Sequence, residues 1–251
     1  MTTTWSYDAI ADVYATDMGQ SMPFDDVAFY RSLCLAEGGR TLELGCGTGR
    51  ILIELLRAGI DAVGADRSLP MLARLRRDAQ THALSPQLLQ MDVAQPALLG
   101  QFNTILLPYS LITYLRNYAG AVTALRRYAA MLADGGCIVL DAFIPKPVES
   151  FSDFRQDYWR EHGGGFLARE KRISVQADGC NRIERRYRLH AADRSLREEF
   201  FTDETIRPYA PEALASLSAA AGLHADQWAW DYGAARSADG AKFATATLRR
   251  R

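Results

Sequence analysis

The sequence has few lysines and almost no net charge. Three of its 29 basic residues are lysines, and 30 acidic residues leave a formal net charge of −1. This balance argues against binding to a nucleic-acid backbone, which requires a surface of one-sided positive charge. Even the arginine-rich stretch 151–207 holds 12 basic residues against 11 acidic ones. We therefore expect no nucleic-acid partner.

Long apolar runs and paired cysteines are also missing. No run approaches the ~18–20 residues of a membrane-spanning helix, and the polar first residues lack the basic and apolar regions of a signal peptide. The four cysteines, at positions 34, 46, 137 and 180, have neither metal-site nor disulfide spacing. These absences predict a cytoplasmic protein with free thiols and no membrane partner. We also expect a monomer or a homodimer.

The most informative feature is a glycine-rich turn within Thr41-Leu-Glu-Leu-Gly-Cys-Gly-Thr-Gly-Arg50. It joins an apolar strand to a helical run, so a ligand can lie close to the backbone at the positive end of a helix. Dinucleotide folds space their glycines as G-x-G-x-x-G. Here the third glycine comes one residue early, and Arg50 stands where that pattern has glycine. Glu43, before the turn, suits a ligand that carries an ammonium group.

Further acids end the next apolar segments. Asp66 ends the segment Ile60–Asp66, 19 residues after Gly47, where a Rossmann-type fold presents a carboxylate to ribose hydroxyls. The alternative is that Asp66 is the N-cap of the following helix. Asp92 ends a third strand. Five strands alternating with helical segments predict a doubly wound α/β sheet, whose ligands lie at the carboxyl ends of the strands.

The pattern E-x-G-x-G-x-G resembles the first motif of class I S-adenosylmethionine (SAM)-dependent methyltransferases. Asp66-Arg-Ser-Leu-Pro-Met-Leu72 resembles the second motif of that family. The resemblance implies a seven-stranded Rossmann-like methyltransferase sheet, with SAM as cofactor, S-adenosylhomocysteine as product, and no metal. The implied cofactor-binding residues are Glu43, Gly45, Cys46, Gly47, Gly49, Asp66, Arg67, Met71, Asp92, Val93 and Leu107.

The chain also contains an insertion between the fifth strand and a well-marked helix that starts near Ala210. Alternating apolar and polar residues predict a small antiparallel sheet here. Three consecutive glycines, 163–165, mark a hinge or a loop tip. We expect an N-terminal lid and SAM-binding core over 1–144, the antiparallel insertion over 145–209, and a closing helix and hairpin over 210–251. The insertion is either a substrate lid or a structural flap and oligomer contact.

The N-terminal segment from Tyr7 to Tyr14 resembles one in the small-molecule, N-methyltransferase-like branch, where it folds over the SAM pocket. Tyr14 is thus our candidate catalytic residue, since aromatic faces attract a desolvated cation. The alternative is that both tyrosines merely dock the first helix. The candidate substrate-contacting residues are Tyr7, Tyr109, Phe143 and Trp159.

The resulting hypothesis is a SAM-dependent methyltransferase that acts on a small-molecule amine or hydroxyl. Two alternatives stay open: another reaction of SAM on the same fold, such as cyclisation of its aminobutyrate arm, and a non-catalytic SAM-binding protein. A nucleic-acid amino-methyltransferase is disfavoured because Leu106, at the start of Leu-Leu-Pro-Tyr109, has no polar group to hold an exocyclic amine. His162 and His190 are candidate bases by residue type alone.

Overall fold

The computed structural model describes residues 6–18, 22–98, 100–235 and 237–251. They divide into two compact units. The larger, here called the parallel-sheet unit, consists of Phe24–Pro145 and Pro208–Arg251. The smaller, the antiparallel-sheet unit, consists of Lys146–Arg207 and the described residues up to Pro23.

A seven-stranded sheet forms the centre of the parallel-sheet unit. Numbered along the chain, its strands are β1 (Thr41–Leu44), β2 (Ala62–Asp66), β3 (Gln87–Gln90), β4 (Phe102–Leu107), β5 (Leu132–Phe143), β10 (Leu223–Trp230) and β11 (Phe243–Arg250). They lie in the order β10-β11-β5-β4-β1-β2-β3. The first five pair in parallel, and β11 pairs antiparallel with both β5 and β10. The doubly wound sheet expected from the sequence is confirmed.

Helices connect these strands, and short polar side chains mark where several begin. They are α3 (Asp26–Glu37), α4 (Leu52–Arg57), α5 (Leu69–Gln80), α6 (Tyr118–Ala130) and α7 (Pro211–Ala220). Asp25, Ser68 and Asn117 each accept a hydrogen bond from the backbone N–H three residues later, which satisfies a donor that the first helical turn leaves free. All four residues of β1 are buried, as expected of a central parallel strand.

The strand order creates a crevice at one place in the sheet. β2 and β3 extend the sheet on one side of β1, whereas β4 and β5 extend it on the other. In doubly wound sheets, ligands bind at such a reversal, outside the carboxyl ends of the strands. The glycine-rich turn follows β1, and Tyr109 follows β4, so both lie at this crevice.

The antiparallel-sheet unit contains β6 (Phe151–His162), β7 (Gly165–Val175), β8 (Asn181–His190) and β9 (Leu196–Ile206), paired in that order. The small antiparallel sheet is therefore confirmed, and it begins one strand earlier than the alternation indicated. Gly163 and Gly164, with φ of 55° and 75°, form the two-residue turn between β6 and β7. Two positive φ angles are typical of a tight hairpin, so the glycines form a loop tip.

Two short helices, α1 (Ser6–Ile10) and α2 (Tyr14–Met18), complete this unit. A turn at residues 11–13 separates them. The Ser6 hydroxyl donates to the carbonyl of Asp203 in β9, and α1 packs along that strand. The N-terminal segment thus clusters with the insertion, whereas we had grouped it with the core. As a division by function, the three-part scheme stays a prediction.

Candidate functional site

The turn after β1 is built on left-handed backbone. Gly45, Gly47 and Gly49 have φ angles of 64°, 52° and 89°, which side chains other than glycine seldom tolerate. Close packing is a second reason for two of them. A β-carbon on Gly45 would lie 2.8 Å from the Leu111 side chain, and one on Gly49 would lie 2.6 Å from Leu75. The sequence interpretation had attributed these glycines to the approach of a ligand alone.

Glu43 is a buried carboxyl group directly before this turn. The residue is 2% exposed, and its Oε2 atom has no hydrogen-bond partner among the described residues. Burial raises the pKa of Glu43 to about 8, although the nearby Arg50 opposes the rise. A buried acceptor without a partner costs about 1–3 kcal/mol. A cationic N–H donor from a ligand would remove that cost, so this carboxyl group fits the ammonium of SAM.

Arg50 connects the glycine turn to α3 through an ion pair with Asp26. Its guanidinium donates two parallel hydrogen bonds of 2.6 Å to the carboxylate of Asp26, which is 1% exposed. Paired bonds of this kind are among the stronger and more directional interactions in proteins. The sequence marked Arg50 as a departure from the dinucleotide motif, and the structure gives the residue a structural partner.

Asp66 connects the ends of β1 and β2. Its Oδ2 atom accepts a 2.8 Å hydrogen bond from the Gly47 N–H, and its Oδ1 atom accepts one of the same length from Ser68. The N-cap of α5 is Ser68, whose hydroxyl accepts from the Met71 N–H. The alternative that Asp66 is itself the cap is therefore wrong. Its contact with a ribose stays a prediction.

Three further residues that the resemblance implies for cofactor binding lie near the ends of β2 and β3. Arg67 and Asp92 face each other on the surface, with 3.8 Å between Nη1 and Oδ2. Asp92 also accepts a 2.8 Å bond from the backbone of Ala94. The carbonyl of Val93 accepts a hydrogen bond from Tyr128. These positions agree with an edge that could receive an adenine, and their roles stay predictions.

Three proposed cofactor residues are interior side chains. Met71 and Leu107 have no exposed surface, and Cys46 is 4% exposed. The Cys46 sulfur packs closely against Gly64 of β2. A β-carbon added to Gly64 would lie only 2.8 Å from it. Burial raises the pKa of this thiol. Without movement, Met71 and Leu107 offer no surface to a ligand, and the cofactor roles of all three residues stay predictions.

The structure shows a buried polar cluster that our sequence interpretation missed. Asp141, near the end of β5, is 0% exposed. Its carboxylate accepts hydrogen bonds from the Tyr30 and Tyr232 hydroxyls and from the backbone N–H groups of Tyr109 and Ser110. Burial raises the pKa of Asp141, while these donors oppose the rise. An acid within the apolar run Ile-Val-Leu-Asp-Ala of β5 was the available signal, since a buried charge requires partners.

Two candidate substrate residues lie beside this cluster. Tyr109 follows β4, and its ring stacks against Phe243 with centroids 6.4 Å apart. Phe143 ends β5, and its backbone N–H donates to the Ser110 hydroxyl at 2.9 Å. The structure thus brings Tyr109 and Phe143 together at the carboxyl ends of adjacent strands.

The remaining candidate aromatics belong to the antiparallel-sheet unit. The rings of Tyr7 and Tyr14 meet edge to face, with centroids 5.9 Å apart. Trp159 is 42% exposed, and its ring lies 4.6 Å from that of His190. His190 also hydrogen-bonds to the carbonyl of Arg194. The substrate and catalytic roles of these residues stay predictions.

Asp17, next to the candidate tyrosines, is the centre of a second buried polar group. Its carboxylate accepts hydrogen bonds from Arg169, Tyr158 and Tyr187. His162 lies close by and shares a 2.8 Å hydrogen bond with Thr16. These contacts fix α2 on the antiparallel sheet, so this part of the N-terminal segment has a structural role of its own.

Within the ranges that the structure describes, no group of three or more His, Cys, Asp and Glu side chains could hold a metal ion. Within the same ranges, the helices are all too short or too polar to cross a bilayer. The expectation of metal-free chemistry stays a prediction.

Comparison with known proteins finds a family match over part of the parallel-sheet unit. Residues 41–136 match a family model described as a methyltransferase domain. The chain contains a methyltransferase domain. The match includes the glycine turn, Asp66 and Asp92, so the resemblance found in the sequence motifs is confirmed.

Curated relatives match over part of their length. Demethylmenaquinone methyltransferase from Thermus thermophilus is 35% identical over 115 residues, which cover 45% of this chain and 50% of that protein. The chain spans about half the length of this relative.

Solved structures are similar over nearly the whole chain. The CcbJ methyltransferase from Streptomyces caelestis has a TM-score of 0.80 at 19% identity, covering 98% of both chains. The SAM-bound amino pentose methyltransferase CalS10 from Micromonospora echinaspora has a TM-score of 0.72 at 23% identity, covering 94% of this chain and 96% of its own. These likenesses show a shared fold.

Proposed function

We propose that this protein is a SAM-dependent methyltransferase that acts on a small-molecule amine or hydroxyl. The observation that carries the proposal is the buried Glu43 carboxyl group, whose Oε2 atom has no partner among the described residues. It lies near the end of β1, beside a turn in which three glycines adopt the left-handed backbone conformation. A cationic ligand would complete this arrangement.

Four residues would hold SAM in this proposal. Glu43 would accept from the ammonium group, and the backbone of Gly47 would lie against the ligand. Asp66 would accept from the ribose hydroxyls, and Asp92 from the adenine amino group. Bound SAM supplies an electrophilic methyl group on a sulfonium. The chain itself needs to orient the acceptor and exclude water, and orientation alone can contribute up to ~7–11 kcal/mol in favourable cases.

We infer that the acceptor is a small polar molecule that carries an amine or a hydroxyl. Two observations support this class. Tyr109 and Phe143 are aromatic residues at the carboxyl ends of β4 and β5, and CalS10, which shares the fold, is an amino pentose methyltransferase. An amino sugar is therefore the first acceptor to test. The near-neutral charge of the chain also favours such a molecule over a nucleic acid.

The test of the function is a binding and product assay. The purified protein should bind SAM and S-adenosylhomocysteine without added metal, and NAD should not compete. Turnover with labelled SAM and a panel of amino sugars and small amines should release S-adenosylhomocysteine. Release of methylthioadenosine would indicate cyclisation instead. SAM binding without either product would count against the acceptors tested and favour the non-catalytic alternative. Tight NAD binding would overturn the proposal.

A second test concerns Tyr14, our proposed catalytic residue. Tyr14→Ala should lower turnover more than it lowers SAM affinity, because an aromatic contact with the reacting group matters most as charge redistributes. Tyr118→Ala is the matched control, since Tyr118 is an exposed tyrosine on α6. Equal losses of turnover and affinity in Tyr14→Ala would remove Tyr14 from the chemistry and leave it a docking residue.

A further inference from the structure

The Asp141 carboxylate holds an unusual piece of backbone. Tyr109 and Ser110, directly after β4, are consecutive non-glycine residues with φ angles of 53° and 58°. L-residues adopt this left-handed region at a cost, and such a conformation persists where the surroundings enforce it. Here the N–H groups of both residues donate to Asp141, at 2.9 Å and 2.5 Å. One buried carboxylate therefore fixes both strained residues.

The turn that this carboxylate holds also contacts the end of β5. The Ser110 hydroxyl, held by this turn, accepts a hydrogen bond from the N–H of Phe143. Asp141 and Phe143 are two residues apart on β5, so the contacts form a closed loop from β5 to the turn and back. Both aromatic residues that we propose for the acceptor pocket, Tyr109 and Phe143, are attached to this loop.

Two tyrosine hydroxyls fill the remaining positions around the carboxylate. Tyr30 comes from α3 and Tyr232 from the connection between β10 and β11, with donor distances of 2.5 Å and 2.8 Å. Tyr30 lies four residues after Asp26, the partner of Arg50. A spacing of four places both side chains on one face of α3. One helix thus contacts the glycine turn and the Asp141 cluster.

We propose that Asp141 is a positioning residue for the acceptor pocket: its carboxylate holds Tyr109 and, through Ser110, Phe143 in the orientation that receives the methyl acceptor. The inference rests on the proposed function in one respect, which is that the acceptor lies between these aromatic residues. Asp141 itself is fully buried and does not need to touch substrate. The glycine turn has its own attachments through Asp66 and Arg50, so cofactor binding should depend little on Asp141.

The test compares three variants. Asp141→Asn keeps the size of the side chain. Its amide NH₂ cannot accept a hydrogen bond, so at least one of the four donors loses its acceptor. Ser110→Ala keeps the carboxylate cluster and removes the bond to Phe143. The double variant Tyr30→Phe with Tyr232→Phe keeps both backbone contacts and removes two side-chain donors, so it controls for a loss of stability alone.

Three measurements separate positioning from a purely structural role. They are the φ angles of Tyr109 and Ser110 in crystals with S-adenosylhomocysteine, the affinity for that ligand, and kcat/KM with an amino pentose methyl glycoside. In Asp141→Asn, Tyr109 and Ser110 should leave the left-handed region, and the affinity for S-adenosylhomocysteine should stay within about threefold. The value of kcat/KM should fall about 10- to 100-fold, because a small misplacement of the reactants can slow a reaction by this much. Ser110→Ala should show a smaller loss of kcat/KM than Asp141→Asn. The double phenylalanine variant should keep the positive φ angles of Tyr109 and Ser110.

The inference is overturned if Tyr109 and Ser110 keep positive φ angles in Asp141→Asn, or if ligand affinity falls as much as kcat/KM. If Asp141→Asn does not fold, a kcat/KM for Ser110→Ala equal to that of the unmodified protein overturns it. Absence of turnover in the unmodified protein would count against the proposed acceptor class. In that case the φ angles of the variants decide the positioning role by themselves.

Discussion

The two units of this protein differ in where most of their charged side chains lie. In the parallel-sheet unit, single carboxyl groups lie deep among apolar side chains, as Glu43 and Asp141 do at 2% and 0% exposure. In the antiparallel-sheet unit, charged side chains pair across neighbouring strands, for example Arg172 with Glu184 and Arg186 with Glu170. The first arrangement leaves carboxyl groups for ligands and for strained backbone. The second pairs many of the charged side chains of the sheet with one another.

This difference has an energetic consequence. Ion pairs that are partly exposed contribute about 0–1 kcal/mol each, so most of the cross-strand pairs can be lost singly at little cost. Asp17 with Arg169 is an exception, since their side chains are 8% and 15% exposed. We therefore expect substitutions in both units to lower stability. We expect effects on SAM binding from substitutions in the parallel-sheet unit.

The largest effect on binding is expected from Gly47→Val. Gly47 has a φ of 52°, and we expect a β-carbon there to intrude on the ligand, so SAM binding should be lost while far-ultraviolet circular dichroism is retained. Gly179→Val is the matched control, because Gly179 also has a positive φ, of 82°, in a turn of the other unit. Normal SAM binding by folded Gly47→Val would show that the ligand does not lie against this turn.

The largest effect on stability is expected from Asp17→Asn. It removes one of the two carboxylates that pair with the buried Arg169, which keeps Asp157 as its other partner, and breaking a buried pair costs up to about 3–5 kcal/mol. Urea unfolding should show this loss. Asp203→Asn is the control, since Asp203 pairs with Arg182 on the surface, with side chains 53% and 45% exposed, and should cost less than ~1 kcal/mol. Equal losses in the two variants would contradict the distinction between buried and exposed pairs.

A smaller effect is expected from Asp66→Ala. We predict a loss of about 1–3 kcal/mol in SAM binding, because hydrogen-bonding groups would be left without partners in a closed site. Asp193→Ala is the control. Asp193 accepts from the N–H of Ser195, two residues later, as Asp66 does from Ser68. Isothermal titration of both folded variants tests the prediction, and an unchanged affinity in Asp66→Ala would confine Asp66 to a structural role.

A pH dependence of stability is also expected, and Glu43→Gln should remove it. Burial raises the pKa of Glu43 from 4.5 to about 8. Between these values the folded protein keeps a proton that the unfolded chain has released, so the free energy of unfolding should fall as pH rises. Denaturant titrations of the unliganded protein from pH 5 to pH 8 measure this slope.

Glu54→Gln is the control for that slope, because Glu54 pairs with Arg57 near the surface. SAM affinity should rise over the same pH range, since an ammonium group favours the ionised carboxylate. In Glu43→Gln both dependences should flatten. If they persist unchanged, Glu43 does not control either one.

The sequence predicted the parallel-sheet unit well because its signals are local. A buried parallel strand is a continuous apolar run, a strand-to-helix turn with left-handed backbone requires glycine, and acids at strand ends meet at one edge of the sheet. Glu43, Asp66 and the three glycines could therefore be assigned to one edge of the sheet from the sequence alone. In the other unit, β6 was missed because its charged and aromatic residues do not alternate cleanly.

Long-range pairing was beyond the sequence. Nothing near Asp141 in the chain indicates that Tyr30, Tyr109 and Tyr232 would all donate to it, because these residues are separated by 111, 32 and 91 positions. Likewise, the bond between Ser6 and Asp203 spans 197 positions, and it explains why the N-terminal helices belong with the inserted sheet.

The sequence by itself determined the sheet, the glycine turn and the acids at the strand ends, since each follows from the conformational limits of a few neighbouring residues. Tertiary structure decided which buried carboxyl groups are satisfied and which are not. Asp141 has four donors and Glu43 has an oxygen without a partner among the described residues. That distinction depends on which distant donors folding brings within hydrogen-bond reach, and a buried acceptor is costly where none arrives.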